Sequence, residues 1–259
     1  MVNKESNSYT LIFSAVLVIL VGVLLTVVFE ITNKPYEKSV EMEKRQNILS
    51  AALGKTLTRE EADQMFVQYI KESKVYNAAG EEVQGQDAFT LDLSKELKKP
   101  ESEQLFPMFI FKDGSTVRYI LGMRGTGLWG PVWGFIAIES DLNSVFYANF
   151  DHKGETPGLG AEINQVTFQD QFALDKGKKI YQGSDFHGVL VEKKGKTSET
   201  SEDYKHVVSG ISGGTITSDG VSYMLQKYLK AFDAYIKKAG IAPSIQQANL
   251  PTNLSNQQP

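Results

Sequence analysis

Cysteine is absent from the 259 residues of this chain. Its absence excludes disulfides, iron–sulfur ligation, thiol catalysis and any thioether-linked cofactor on this polypeptide. Histidine is scarce, with 3 residues, and His152, His187 and His206 lack the short spacings that bring two imidazoles onto one metal. No resident metal is therefore expected. Lys and Arg form no basic patch, and the formal net charge is -4, so no nucleic-acid partner is expected. A dinucleotide fingerprint in its required context is also missing: Gly125-Thr126-Gly127-Leu128-Trp129-Gly130 has the G-x-G-x-x-G spacing, but Pro131 and the predicted strand Val132–Ile138 follow it where a helix is needed. No internal repeat is present.

What is present begins with an uncharged run from Leu11 to Phe29, rich in Leu, Val and Ile. At ~1.5 Å per residue it reaches about 28 Å, close to the hydrocarbon thickness of a bilayer. The run exceeds a signal-peptide core, and Thr32-Asn33-Lys34-Pro35 is a poor cleavage site, so an uncleaved transmembrane helix is expected over 11–31 after a short segment 1–10. Lys4 precedes it, and Lys34, Lys38, Lys44 and Arg45 follow it. Taken alone, that count leans towards a cytoplasmic C-terminal domain.

Beyond the apolar run, residues 36–53 read as a helix stopped by Gly54. Thr58-Arg59-Glu60-Glu61 reads as a capping box ahead of an apolar face of Ala62, Met65, Phe66, Tyr69 and Ile70. The stretch 32–104 is thus expected to be a helical connecting region. From residue 105 the period shifts. Phe106–Phe111, Val117–Met123, Val132–Ile138 and Ser144–Asn149 predict strands, with Asp113-Gly114 as a hairpin turn. A helical segment is expected over 161–173 (Ile163, Val166, Phe168, Phe172), strands over Gly188–Lys193 and Tyr204–Val208, and a last helix over 219–239. The main domain then covers 105–240, and 241–259 reads as a disordered polar tail. The order of elements predicts an α+β fold: a mostly antiparallel twisted sheet flanked by helices.

The most informative segment is Ser212-Gly213-Gly214-Thr215-Ile216-Thr217-Ser218, directly before the last helical pattern. Adjacent glycines remove Cβ atoms that would block a bulky group. A helix N-terminus favours a phosphate, and Ser218 or Asp219 could cap this one. The segment is a candidate phosphate or phosphoester site, with Thr215 as the accessible hydroxyl and Thr217 as its rival. Glu155-Thr156-Pro157-Gly158-Leu159-Gly160 forms a second tight loop whose backbone could bond a polar ring edge while Leu159 packs on the apolar face. Trp129 reads equally as a stacking residue or a core aromatic, Trp133 as core, and His152 as a solvated side chain. Asp151 and Glu155 do not form a convincing acid–base pair, so no catalytic residue is assigned.

The frame Ser209-Gly210-Ile211-Ser212-Gly213-Gly214-Thr215 resembles the motif that carries FMN on threonine through a phosphoester, Asp-x-x-Ser/Thr-Gly-Ala-Thr. Ser209 stands where Asp is usual and Gly214 where Ala is usual. Together with Gly125-Thr126-Gly127-Leu128-Trp129-Gly130-Pro131 and the ETPGLG string, in this order behind one membrane helix, the chain resembles the C subunit of the Na⁺-translocating NADH:quinone oxidoreductases. The G subunit of the related Rnf electron-transport complex shares the flavinylation and ETPG-type elements. The resemblance implies covalent FMN on Thr215 and an FMN-binding domain over 105–240. Contacts are implied for Ser212, Gly213, Gly214, Thr217, Glu155, Thr156, Gly158, Leu159, Gly160 and Trp129. It implies electron relay from NADH towards quinone coupled to Na⁺ export, with no NADH oxidation by this chain alone. Its implied partners are the other members of a complex of six subunits, a flavin transferase during maturation, and the lipid bilayer. It places the domain on the periplasmic side of the bacterial inner membrane, against the charge count above. A membrane-anchored, non-redox ligand-binding module is the alternative of a different class.

Overall fold

The computed structural model describes residues 7–241 and 243. The elements in chain order are α1 (Asn7–Leu53), α2 (Arg59–Tyr69), β1 (Ile70–Asn77), α3 (Leu93–Glu96), β2 (Leu105–Asp113), β3 (Thr116–Thr126), β4 (Pro131–Glu139), β5 (Val145–His152), α4 (Val166–Gln169), β6 (Tyr181–Gln182), β7 (Asp185–Phe186), β8 (Leu190–Glu192), β9 (Val207–Ser209) and α5 (Thr215–Lys238). The chain divides after Arg45 into two units. In the first, the apolar side chains from Leu11 to Phe29 are exposed along a helix long and apolar enough to cross a membrane.

The second unit is α+β, as expected. Strands β1 to β5 form one antiparallel meander in the order β1-β2-β3-β4-β5. Asp113 pairs with Thr116, which leaves Gly114 (φ 56°) and Ser115 as the hairpin turn. Both faces of the sheet are covered, so β2 is apolar almost without interruption instead of alternating. On one face Phe106, Met108, Leu121, Met123, Val132 and Ile136 meet Val221, Met224, Leu225, Tyr228, Leu229 and Phe232 of α5. That helix stripe recurs at three- and four-residue spacing, which puts it on one side. On the other face Val75, Phe109, Phe111, Ile120, Phe135 and Ala137 pack with Ile48, Leu49, Ala51 and Ala52 from the end of α1, and with Ala62 of α2.

The capping box forms as predicted: the Thr58 hydroxyl accepts from the Glu61 N–H, and the Thr58 N–H donates to the Glu61 carboxylate at 2.9 Å. Gly54, at φ 64°, lies immediately beyond α1.

Several boundaries differ from the sequence expectation, each for a packing reason. Residues 70–77, within the segment read as helical, form β1: Val75 and Tyr76 are buried on opposite sheet faces, a period-two pattern too short to register against its charged neighbours. The 161–173 stretch is a chain of short helical turns with Ile163, Phe168 and Phe172 buried and Val166 exposed. Residues 202–206 form a helical turn, so only Val207–Ser209 is strand, paired in parallel with β8. Ser144 lies outside β5, where its backbone N–H and hydroxyl are taken by the Asp141 carboxylate. Trp133 is half-buried under the Arg124 guanidinium, 5.7 Å from its ring, and is no core residue. The helix expected over 219–239 begins at Thr215. Most of the tail read as disordered lies outside the described residues.

Among the described residues, both apolar cores draw only on 48–236. A chain truncated to begin at Lys34 is therefore expected to be monodisperse without detergent and to melt cooperatively. Size exclusion and circular dichroism read this, and aggregation of a well-expressed product would mean that the apolar run contributes to the fold.

Candidate functional site

Three loops converge beside the N-terminus of α5. The first intrahelical bond there runs from the Ser218 N–H to the Gly214 carbonyl at 2.9 Å. The N–H groups of Thr215, Ile216 and Thr217 thus have no acceptor within the helix. The N-cap is Gly214, with no side-chain capping bond, and the first turn holds no acidic residue. Ser218, one of the two caps expected from sequence, lies within the helix. Its hydroxyl instead accepts the Ile211 N–H at 3.0 Å, which fastens the approaching chain to α5. Asp219 is likewise helical and exposed. An uncapped, positively polarised helix end with an exposed Thr215 at its first position is suited to an anion carried on that hydroxyl.

Glycines permit the convergence. Gly213 has φ 76°, which favours glycine, and an added Cβ would come within 2.7 Å of the Leu159 side chain. Gly220, inside α5, lies so close to β3 that a Cβ would stand 2.1 Å from the Thr126 carbonyl oxygen. That contact seats the start of the helix against the end of the strand.

Glu155 sits at the centre. Its side chain is buried, Oε2 accepts the Thr217 hydroxyl at 2.6 Å, and Oε1 accepts the Trp129 N–H at 2.8 Å. Burial pushes its carboxyl up, but the Thr217 hydroxyl and the N–H groups of Trp129, Leu128 and Gly130 outweigh this and hold it below the usual carboxylate range. The Glu155 N–H in turn donates to His152 Nδ1 at 3.1 Å, so His152 braces the loop and is not simply solvated.

The result is a pocket of about 190 Å³. Of the residues assigned from sequence, Glu155, Thr156, Leu159, Gly160, Gly213, Gly214, Thr215 and Thr217 line it. Ser212, Gly158 and Trp129 do not: Ser212 is exposed, and the Gly158 N–H is turned to Glu162 Oε1 at 2.9 Å. Trp129 is neither core nor pocket wall, being 70% exposed. Leu128 and Ile216 line the pocket although sequence reasoning does not assign them to the site. Lone apolar residues in glycine-rich loops carry no periodic signal; their position inside two of the strings is the one usable hint. The volume is below the ~300 Å³ at which a cleft encloses a drug-sized ligand.

The FMN-binding domain family model matches residues 127–230. The C subunit of the Na(+)-translocating NADH-quinone reductase of Vibrio alginolyticus is 37% identical over 134 residues, covering 51% of this chain and 50% of that protein. The Haemophilus ducreyi C subunit is 28% identical over 254 residues, covering 91% of this chain and 95% of that protein. The crystal structure of the Parabacteroides distasonis C subunit superposes with a TM-score of 0.68 at 38% identity, covering 78% of this chain and 94% of that one. The chain belongs to the C-subunit family of Na(+)-translocating NADH-quinone reductases. It spans about half the length of the Vibrio alginolyticus and Pseudomonas aeruginosa relatives it matches. The residues matched to the FMN-binding domain take in the whole pocket, from Leu128 in the first loop to Thr217 in α5. The family fold thus brings three strings that are separate in sequence onto one helix end.

Proposed function

We propose that this chain is the membrane-anchored, FMN-carrying subunit of a Na⁺-pumping NADH:quinone oxidoreductase, with the flavin esterified to Thr215. The observation that carries the reading is the exposed Thr215 hydroxyl at an uncapped helix end, opening on a pocket walled by the other two family strings. Attachment needs no activated thiol or imidazole. The Thr215 oxygen attacks the flavin-side phosphorus of a flavin adenine dinucleotide held by a Mg²⁺-dependent flavin transferase. The new O–P bond replaces the anhydride P–O bond, adenosine monophosphate leaves with the electron pair, and the hydroxyl proton passes to solvent.

In this reading the free N–H groups of the first turn of α5 hold the phosphate, and Leu159 and Leu128 offer an apolar surface to the ring. When bound, FMN supplies the electron-carrying chemistry, and the protein sets its position and environment. This chain relays electrons received from another subunit towards quinone, coupled to Na⁺ export. Its partners are the other members of a complex of six subunits, and the apolar run in α1 anchors it in the bacterial inner membrane with the flavin domain on the periplasmic side. The test is ultraviolet fluorescence of the denatured protein in a gel after co-expression with a flavin transferase. A fluorescent band is expected, because only a covalent flavin survives; a dark band from fully exported protein would sink the reading.

Leu159→Asp is expected to keep the covalent link but lower the midpoint potential relative to Leu159→Ala, because a carboxylate beside the ring opposes added negative charge. Leu159 is 41% exposed, so solvent screening applies. One charge at ~4 Å is then worth nearer 1 than 4 kcal/mol. With a tenfold one-electron change equal to ~59 mV, this is some tens of millivolts. Equal potentials in a redox titration of the two variants would mean that the ETPGLG loop does not touch the ring.

A further inference from the structure

Two threonines, Thr215 and Thr217, stand two residues apart at the same helix end, yet they are presented oppositely. Thr215 is exposed and lines the pocket. Thr217 is 1% exposed, and its hydroxyl is committed as a donor to Glu155. A hydroxyl can attack phosphorus only where a dinucleotide can approach it, so the environment already separates the two.

The geometry points to Glu155 as the positioning residue that selects the flavin acceptor: its carboxylate locks Thr217 inward and thereby turns Thr215 outward. The inference rests on the Thr215 flavin reading. Four observations support it. The N-cap of α5 is a glycine without a side chain, so the helix start is held by a residue from elsewhere in the fold. Glu155 reaches it across 62 residues of sequence. Its other oxygen grips the Trp129 N–H, so one carboxylate ties α5 to both glycine-rich loops. Finally, Gly127 and Gly160 are kept bare for it: a Cβ on either would stand 2.6 Å from a Glu155 carboxylate oxygen. The donors satisfying this buried anion are neutral, which makes the arrangement specific in direction, because N–H and O–H groups must aim at it. Rotating the first turn of α5 to expose Thr217 would leave the charge short of a donor.

The test uses the full chain co-expressed with a flavin transferase, as wild type, Glu155→Ala, Glu155→Gln and Thr217→Val. Intact mass gives the flavinylated fraction over time, and fragmentation of the peptide holding both threonines gives the site. Wild type should be modified at Thr215 alone. Glu155→Ala should lose at least about tenfold in rate at Thr215, the scale of one charge-assisted hydrogen bond, or acquire a second adduct at Thr217. Glu155→Gln can still accept from Trp129 and reach the Thr217 oxygen through its amide, so it should recover most of the rate; this rescue separates positioning from a general loss of structure. Thr217→Val should slow attachment several-fold without abolishing it, and combining it with Glu155→Gln should add little further loss. Should Glu155→Ala fail to fold, the Gln and Val variants decide alone. Modification of all folded variants at Thr215 at the wild-type rate would overturn the role of Glu155 while leaving the Thr215 reading intact. A wild-type adduct elsewhere than Thr215 would overturn both.

Discussion

Thr215→Ala should abolish covalent flavin altogether, whereas Thr217→Ala should retain it. The first change removes the exposed hydroxyl at the helix end; the second removes a hydroxyl that is buried and already bonded to Glu155. Loss of the ester oxygen is not graded, so the expected effect is all or none. Intact mass of each variant, co-expressed with a flavin transferase, reads it directly. An FMN-sized increment persisting in Thr215→Ala would show that another residue is the acceptor. A protein holding flavin without a covalent bond would instead lose its colour on denaturation, which separates the two modes of binding in one sample.

Gly220→Ala should be the most damaging single methyl that can be added near the site. The new Cβ would lie 2.1 Å from the Thr126 carbonyl oxygen, and backbone on both sides leaves nothing flexible to yield. Overpacking of this kind costs about 1–3 kcal/mol, occasionally more. Alanine favours a helix over glycine by ~1 kcal/mol, so propensity alone predicts stabilisation, opposite in sign. A lower melting temperature, with slower flavin attachment as the first turn of α5 is pushed off β3, is the expected outcome. A melting temperature equal to or above wild type would mean that α5 sits farther from β3 than described. Asp219→Ala, on the exposed neighbour, is the control and should change little.

The meander is legible in the sequence because its strands are long, β-branched and aromatic, with glycine-containing turns after β2 and β3. Phe106–Phe111 and Val132–Ile138 fall inside β2 and β4. The edge strand β1 is not, because Ile70-Lys71-Glu72-Ser73-Lys74 is dominated by charge and follows a helix without a break. It is a strand because β2 offers it a hydrogen-bonding edge and two faces to bury Val75 and Tyr76. Local spacing starts the last helix at residue 219 because Ser218 and Asp219 are good caps in isolation. In the folded chain Glu155 and the Ile211 N–H engage Thr217 and Ser218, and the helix extends back to Thr215.

By itself, the sequence determined the absence of thiol chemistry, the apolar run, the α+β class, and three glycine-rich strings whose resemblance to a flavoprotein family implies a flavin on a threonine. The first three are properties of composition and local spacing and the last rests on family resemblance, and none needs a partner residue to be read. Only the tertiary structure decided that the strings meet, that Thr215 is exposed while Thr217 is buried, and that the Thr217 hydroxyl is bonded to Glu155. Those features depend on groups up to 62 residues apart being brought within 2.6 Å, and a hydroxyl's accessibility is set by what the fold packs against it. The same holds for Trp129 and Trp133, both exposed more than their chemistry suggests, because burial belongs to the surface that covers a side chain and not to the side chain itself.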